Sequence, residues 1–383
     1  MKAAVGHSED VDSEDAVAEV LEQCAEKLEG CRPKAALLFS SVDKDFEAIL
    51  ARIDEAHPGI ELIGCTTDGE LSEVLGFAED SLALTLICTD RVDVKAGVGH
   101  GVFDDPDQAG SDAIESARSQ LVGAPRLCLT TPRGIGGRGN RITTALLKAL
   151  GPHVALAGGV AGDQWEFKET QQFFKREVYT DSAPVLMFSE PLLFSRGAES
   201  GWMPIGQLSR RNVIDGRVIH QIGDDTGVGY FRRYFGQDAK PDSECPLAVY
   251  ATETDDFFLC SVVEYDEADG TLKLGQSLPE NCGVQLTQAT RGNILLAAEK
   301  SMQQALERFP GGRPQLGILF SCATRKYILG TRTNEEYEAI QRNVSDALPL
   351  VGFYAYGEIG PGRLDDETAF HSETLVSVLL GEA

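Results

Sequence analysis

The feature that most constrains this chain is a ten-residue pattern that occurs twice. Leu62-Ile63-Gly64-Cys65-Thr66-Thr67-Asp68-Gly69-Glu70-Leu71 matches Leu350-Val351-Gly352-Phe353-Tyr354-Ala355-Tyr356-Gly357-Glu358-Ile359. Each copy follows a shorter apolar run, Leu37-Leu38-Phe39-Ser40-Ser41 in one case and Ile318-Leu319-Phe320-Ser321-Cys322 in the other. Unbroken apolar runs that stop at small and polar residues read as buried strands of an α/β sheet, and the ends of such strands are where ligands are met. A looser copy is Leu127–Thr131 followed by Ala155–Asp163, with Asp163 in place of the glutamate.

Helical spacing separates these strands. Val17, Val20, Leu21, Cys24 and Leu28 follow a cap near Ser13, and Ile294, Ala298, Met302 and Ala305 lie on one side of a long helix that stops at Pro310-Gly311-Gly312. Asp215-Gly216 and Asp269-Gly270 are hairpin turns between alternating runs. The chain is therefore expected to be α/β, with two related halves of mixed sheets covered by helices and α/β/α/β repeats interleaved with antiparallel hairpins.

A formal charge of −26, from 60 acidic against 34 basic residues, repels phosphate backbones, so neither nucleic acid nor an anionic membrane surface is an expected partner. No apolar run approaches the length of a membrane span and no signal-peptide pattern opens the chain, which points to the cytoplasm. Nine cysteines without a C-x-x-C pair and six dispersed histidines give no disulfide framework, no metal signature and no cofactor.

On the residues 319–325 and 352–359 in one half and 63–70 in the other, the chain resembles the FIST proteins, sensory modules with an N-terminal and a C-terminal FIST domain. The polar first twelve residues are expected to be disordered, and with the resemblance, which spans about 30–365, the chain divides into an N-terminal domain at 13–211, a junction at 212–245 and a C-terminal domain at 246–383. It implies sensing of a small polar ligand, amino acids or their derivatives among them, without established catalytic residues. Because no output domain is attached, the signal is expected to pass to a separate signalling protein.

The candidate ligand contacts are Asp68, Gly69, Glu70, Asp163, Cys322, Arg325, Tyr354, Tyr356, Gly357 and Glu358. Glu70 and Glu358 follow glycines that permit a tight turn and could accept from a ligand amine, although a structural cap is the plainer reading. Asp68 and Asp163 lie at the same turns, where aspartate is also a common turn former. Arg325 offers a fork for a carboxylate, so that Arg325 and Glu358 together suit a zwitterion. Tyr354 and Tyr356 share one side of an extended stretch and either wall a pocket or pack under a helix. The competing reading is an enzyme, using Cys322 as a nucleophile or a nucleotide at the glycine-rich loop 133–140. That loop satisfies G-x-G-x-x-G as a bare string but lacks the acidic residue that should follow it, and no histidine stands near Cys322 in sequence.

Overall fold

The computed structural model describes residues 1–251, 256–345, 347–362 and 367–382. Among these residues the chain forms three six-stranded mixed sheets and two smaller antiparallel ones. The large sheets are built alike, from an outer strand, an antiparallel strand, a central strand and a strand parallel to it. In the first sheet these are Lys2–Ser8, Leu82–Cys88, Ala35–Ser40 and Glu61–Thr66. In the second they are Val94–His100, Ser182–Ser189, Pro125–Thr130 and Ala155–Gly159, and in the third Leu192–Glu199, Leu375–Glu382, Leu316–Cys322 and Leu350–Ala355.

The last two strands of every large sheet are a hairpin donated by another repeat. Glu70–Ser72 with Gly76–Ala78, from the first repeat, completes the third sheet. Gln172–Phe174 with Glu177–Tyr179, from the second, completes the first sheet, and Glu358–Pro361 with Thr368–His371, from the third, completes the second. The mixed α/β class with helix-covered sheets is as the sequence indicates. The copy that is loose in sequence is as complete as the other two, so the repeat occurs three times.

Alternation along the central strands explains the layering. Leu37 and Phe39, Leu127 and Leu129, and Ile318 and Phe320 enter one shared core, while Leu38, Cys128 and Leu319 face outward to helices. Each sheet carries two helices on its outer face: Ser13–Leu28 with Phe46–Ala56, Pro106–Arg118 with Gly139–Leu150, and Arg291–Arg308 with Asn334–Gln341. The result is a three-sided prism. Phe353 lies 4.6 Å from Phe39 and 5.5 Å from Phe320 between ring centres, and its truncation to alanine would cost about 3 to 5 kcal/mol.

Gly64, Gly158 and Gly352 occupy the same place in the three repeats, opposite Leu38, Thr130 and Leu319 across the parallel pair. A Cβ at any of them would fall 1.9 to 2.3 Å from the carbonyl oxygen of that neighbour. The strand ends can therefore approach closely only with glycine there.

Two expectations change. Residues 1–12 are not disordered: Lys2–Ser8 is a strand antiparallel to Leu82–Cys88, with Ala4 and Val5 fully buried. Its apolar side chains are small, which hides the strand in sequence. The third repeat is interrupted after Leu192–Glu199 by an antiparallel module of two sheets and the helix Gly227–Phe235, sharing one core around Ile219, Phe231, Leu272 and Leu286. The expected junction 212–245 lies inside this insert, and so does the expected boundary at 211. Among the described residues no helix is long and apolar enough to cross a membrane.

Candidate functional site

The insert sits over one end of the prism and leaves a cavity of about 730 Å³ beneath it. The prism contributes strand-end residues Val160, Cys322, Ala355 and Tyr356, the insert contributes Ser261, Val263 and Arg217, and the glycine-rich loop from Gly134 to Asn140 forms a side wall. That loop can hug the strand end because Gly134 leaves no side chain: a Cβ there would lie 1.7 Å from the carbonyl oxygen of Ala161. A cavity of this size suits a small metabolite.

Of the residues singled out in sequence, Cys322 and Tyr356 line the cavity. Tyr356 donates its hydroxyl to Asp163 Oδ1 at 2.7 Å and accepts from Trp165 N–H at 2.6 Å. Asp163 is a loop anchor, accepting also from the N–H groups of Phe167, Lys168 and Glu169. It does not replace the glutamate of the other repeats. Glu70 stands opposite Phe353 and Glu358 opposite Gly159, in each case next to the strand glycine, and Gln172, opposite Cys65, holds that position in the second repeat. The longer loop between Gly158 and Gln172 is what displaced the match.

Arg325 is not available to a ligand. It is fully buried, bridges Glu336 at 2.6 Å, and donates to the carbonyl oxygens of Ile294, at 3.0 Å, and Ser200. Tyr354 also turns inward, donating to Glu336 Oε2 at 2.7 Å. Strand alternation decides this: Tyr354 and Tyr356 do begin on one side, but the chain leaves the sheet after Ala355. The expected pairing of Arg325 with Glu358 is therefore replaced by Arg325 with Glu336. Asp68 is held by Trp165 Nε1 at 2.8 Å and Lys326 at 3.2 Å, and burial raises its carboxyl to about 6. Gly69, at φ 113°, accepts at its carbonyl oxygen from Tyr354 N–H at 2.9 Å, and Gly357 lies against the Phe370 ring, where a Cβ would come within 2.4 Å.

Glu373 is the polar centre of the cavity. It is 1% exposed, accepts from Ser261 Oγ at 2.6 Å and lies 3.4 Å from Cys322 Sγ. Burial pushes its carboxyl up to about 7, against hydrogen bonds from Ser261, Thr324 and Cys322 that favour the ionised form. Behind it Glu358 is raised well above the carboxylate range by burial and by the charge of Glu373, with Thr374 N–H opposing at 3.0 Å. Its Oε1 has no hydrogen-bond partner among the described residues. The Cys322 thiol is likewise driven up by burial and by both carboxyls.

Sequence reading missed Glu373, Ser261 and the aromatic residues Phe167 and Phe370 that wall the cavity. A signal for Glu373 was present: an acid followed by a hydroxyl residue precedes the returning strand in all three repeats, as Asp80-Ser81, Asp181-Ser182 and Glu373-Thr374. Ser261 belongs to the insert and has no repeat to point to it. Among the described residues no group of three His, Cys, Asp or Glu could hold a metal ion.

Comparison with known proteins agrees over most of the chain. Residues 34–225 match the model of the FIST N domain and residues 229–361 that of the FIST C domain. Two uncharacterized proteins of Mycobacterium tuberculosis, from two strains, are each 24% identical over 377 residues, which covers 94% of this chain and 95% of theirs. A crystal structure of a cyanuric acid hydrolase from A. caulinodans covers 98% of both chains at 8% identity and a TM-score of 0.35, too low a similarity to bear on function.

Proposed function

The chain belongs to the FIST family, a family associated with signal-transduction sensing, and from that premise we propose that it is a cytoplasmic sensor that holds a small polar metabolite, such as an amino acid or a derivative, in the cavity under the insert. The observation that carries this reading is the cavity itself: about 730 Å³, with Glu373 the buried carboxyl on its floor among the described residues and aromatic rings on its walls. Glu373 would take an amine, and Arg217 in the wall would take a carboxylate, the roles that sequence gave to Glu358 and Arg325. Occupancy would reach a separate signalling protein through the insert, which closes the cavity.

The enzyme reading has less support. A thiol held above its usual range by burial and two acids is a poor nucleophile. A cavity bearing Asp242, Glu264 and Glu373 is also a poor host for nucleotide phosphates at the glycine-rich loop.

A thermal-shift screen of amino acids, their amides and amines, nucleotides and metal ions tests the proposal, since a ligand at a hundred times its Kd stabilises by about 2.7 kcal/mol. Val263 lines the cavity and is 57% exposed, so Val263→Trp blocks the mouth without disturbing a core. A metabolite that stabilises the parent chain and not Val263→Trp supports the proposal. No hit, or a hit that survives the block, removes it.

A further inference from the structure

Among the described residues, the floor of the cavity presents the Glu373 carboxyl and the Cys322 thiol, with the Glu358 carboxyl buried behind them. Glu373 comes from the end of the third repeat's hairpin, Glu358 from its start and Cys322 from the central strand. Among the described residues Arg325 is the cation whose charge acts on both carboxyls, and its guanidinium is taken up by Glu336 and by two carbonyl oxygens. Around them stand Ser261 and Cys260 from the insert, Thr324 from the short helix after Cys322, and His371, which faces Glu358 across the hairpin and donates its Nε2 to the Pro361 carbonyl oxygen at 3.0 Å. Asp242, Glu264 and Arg217 stand farther out in the cavity wall, with Glu264 paired to Lys273 at 2.5 Å. Two neighbouring buried acids oppose each other's ionisation, and the deeper one, Glu358, is raised well above the carboxylate range by burial, so it keeps its proton while Glu373 titrates. Glu373 lines the cavity together with Tyr356, Phe167 and Phe370, whose ring faces attract cations.

Resting on the reading of this cavity as the ligand site, we propose that the floor is a receptor for an ammonium group and that the ligand exchanges with a proton there. The step is balanced and non-covalent: the ammonium forms an ion pair with the Glu373 carboxylate, and the proton that kept this carboxyl neutral leaves to solvent. The ligand is thus an organic cation or zwitterion with a flat apolar body, and its affinity falls as pH falls below about 7, the value to which burial raises Glu373.

Calorimetric titration with phenethylamine, phenylalanine and 3-phenylpropionate, in pairs of buffers that differ in ionisation heat and carry no primary amine (phosphate and MES at the lower pH, borate and HEPPS at the higher), tests this, because the difference in heat between buffers counts protons released. The expected result is binding of the two ammonium compounds with release approaching one proton near pH 6 and almost none at pH 8.5, and no binding of 3-phenylpropionate. Glu373→Gln, which keeps the shape, should abolish the proton release and weaken phenethylamine by at least about tenfold. Binding of phenethylamine without proton release, or equally well to Glu373→Gln, overturns the inference. Binding of 3-phenylpropionate alone overturns it while leaving the cavity as a ligand site, and failure of all three probes overturns it while the metabolite screen still judges the cavity.

Discussion

Two corners of the prism start from the same parts and end differently. At the corner built around Glu70, both carboxyl oxygens are occupied, one by Thr67 Oγ1 and one by Ser81 Oγ, and His7 joins Ser72 at 2.7 Å to Ser81 at 2.8 Å. At the corner built around Glu358, the residue matching Thr67 is Ala355, which has no donor, and the residue matching Ser81 is Thr374, which gives only its backbone N–H. The cations differ too. Lys44, three residues past Ser41, donates to the carbonyl of Asp10 at 2.6 Å, whereas Arg325, three past Cys322, pairs with Glu336. One corner is closed by its own hydroxyls. The other is left with an unmet carboxyl oxygen, and the insert covers it without filling it. The two corners thus differ by one hydroxyl and by the roof that the insert provides.

The strongest way to break this comparison is Arg325→Ala. Removing one partner of a fully buried pair leaves Glu336 without its counter-charge, held only by the hydroxyls of Tyr354 and Ser321, and the expected loss is about 3 to 5 kcal/mol by urea denaturation. A loss under about 1 kcal/mol would return Arg325 to the ligand.

Next come the two glutamates. Glu70→Ala strands Thr67 and Ser81 and should cost about 2 to 3 kcal/mol, while Glu358→Gln, at a carboxyl that burial already keeps protonated, should change stability by less than about 0.5 kcal/mol. Equal losses at the two positions would show the corners to be alike. The sign of the pH dependence sharpens this. Burial raises Glu70 from 4.5 to about 7, so the folded chain binds this proton more tightly than the unfolded one between those values. Stability should therefore decline as pH rises from 4.5 to 7 relative to Glu70→Gln, read as the difference between the two melting temperatures at each pH. The smallest effect is expected of Thr67→Ala, which makes the closed corner resemble the open one at a cost of about 1 kcal/mol. Stabilisation instead would mean that Thr67 does not satisfy Glu70.

Much of the scaffold was legible because period and punctuation carry it. The central strands, the long helix ending at Pro310-Gly311-Gly312 and the match of Gly64 with Gly352 follow from apolar runs and from glycines that a close carbonyl demands. The site was legible in part. Cys322 and Tyr356 stand at strand ends, where the sequence placed them. Arg325 was lost because sequence shows a charge and not its partner: Glu336 lies on the next helix, and nothing in its spacing distinguishes a buried acid from a solvated one. Asp163 was misassigned because the second repeat's loop is longer, which moved an aspartate into the frame of a glutamate that Gln172 replaces. The alanine-rich first strand lacks the bulky residues by which strands announce themselves.

The exchange of hairpins has a kinetic and mechanical consequence. Each repeat completes a sheet begun by another, and the donations run in a closed ring, so no repeat finishes its sheet alone and all three sheets are complete only when all three repeats are present. In a linear array, units can form one after another from any nucleus. Here the closing contacts join segments far apart in the chain, such as Gln172 with Cys65 and Phe353 with Glu70, and the loop entropy of those closures is met before the sheets repay it. Folding should thus be slow and all-or-none, and an isolated repeat should not hold its shape. A pull on any one hairpin should also be resisted by all three sheets at once.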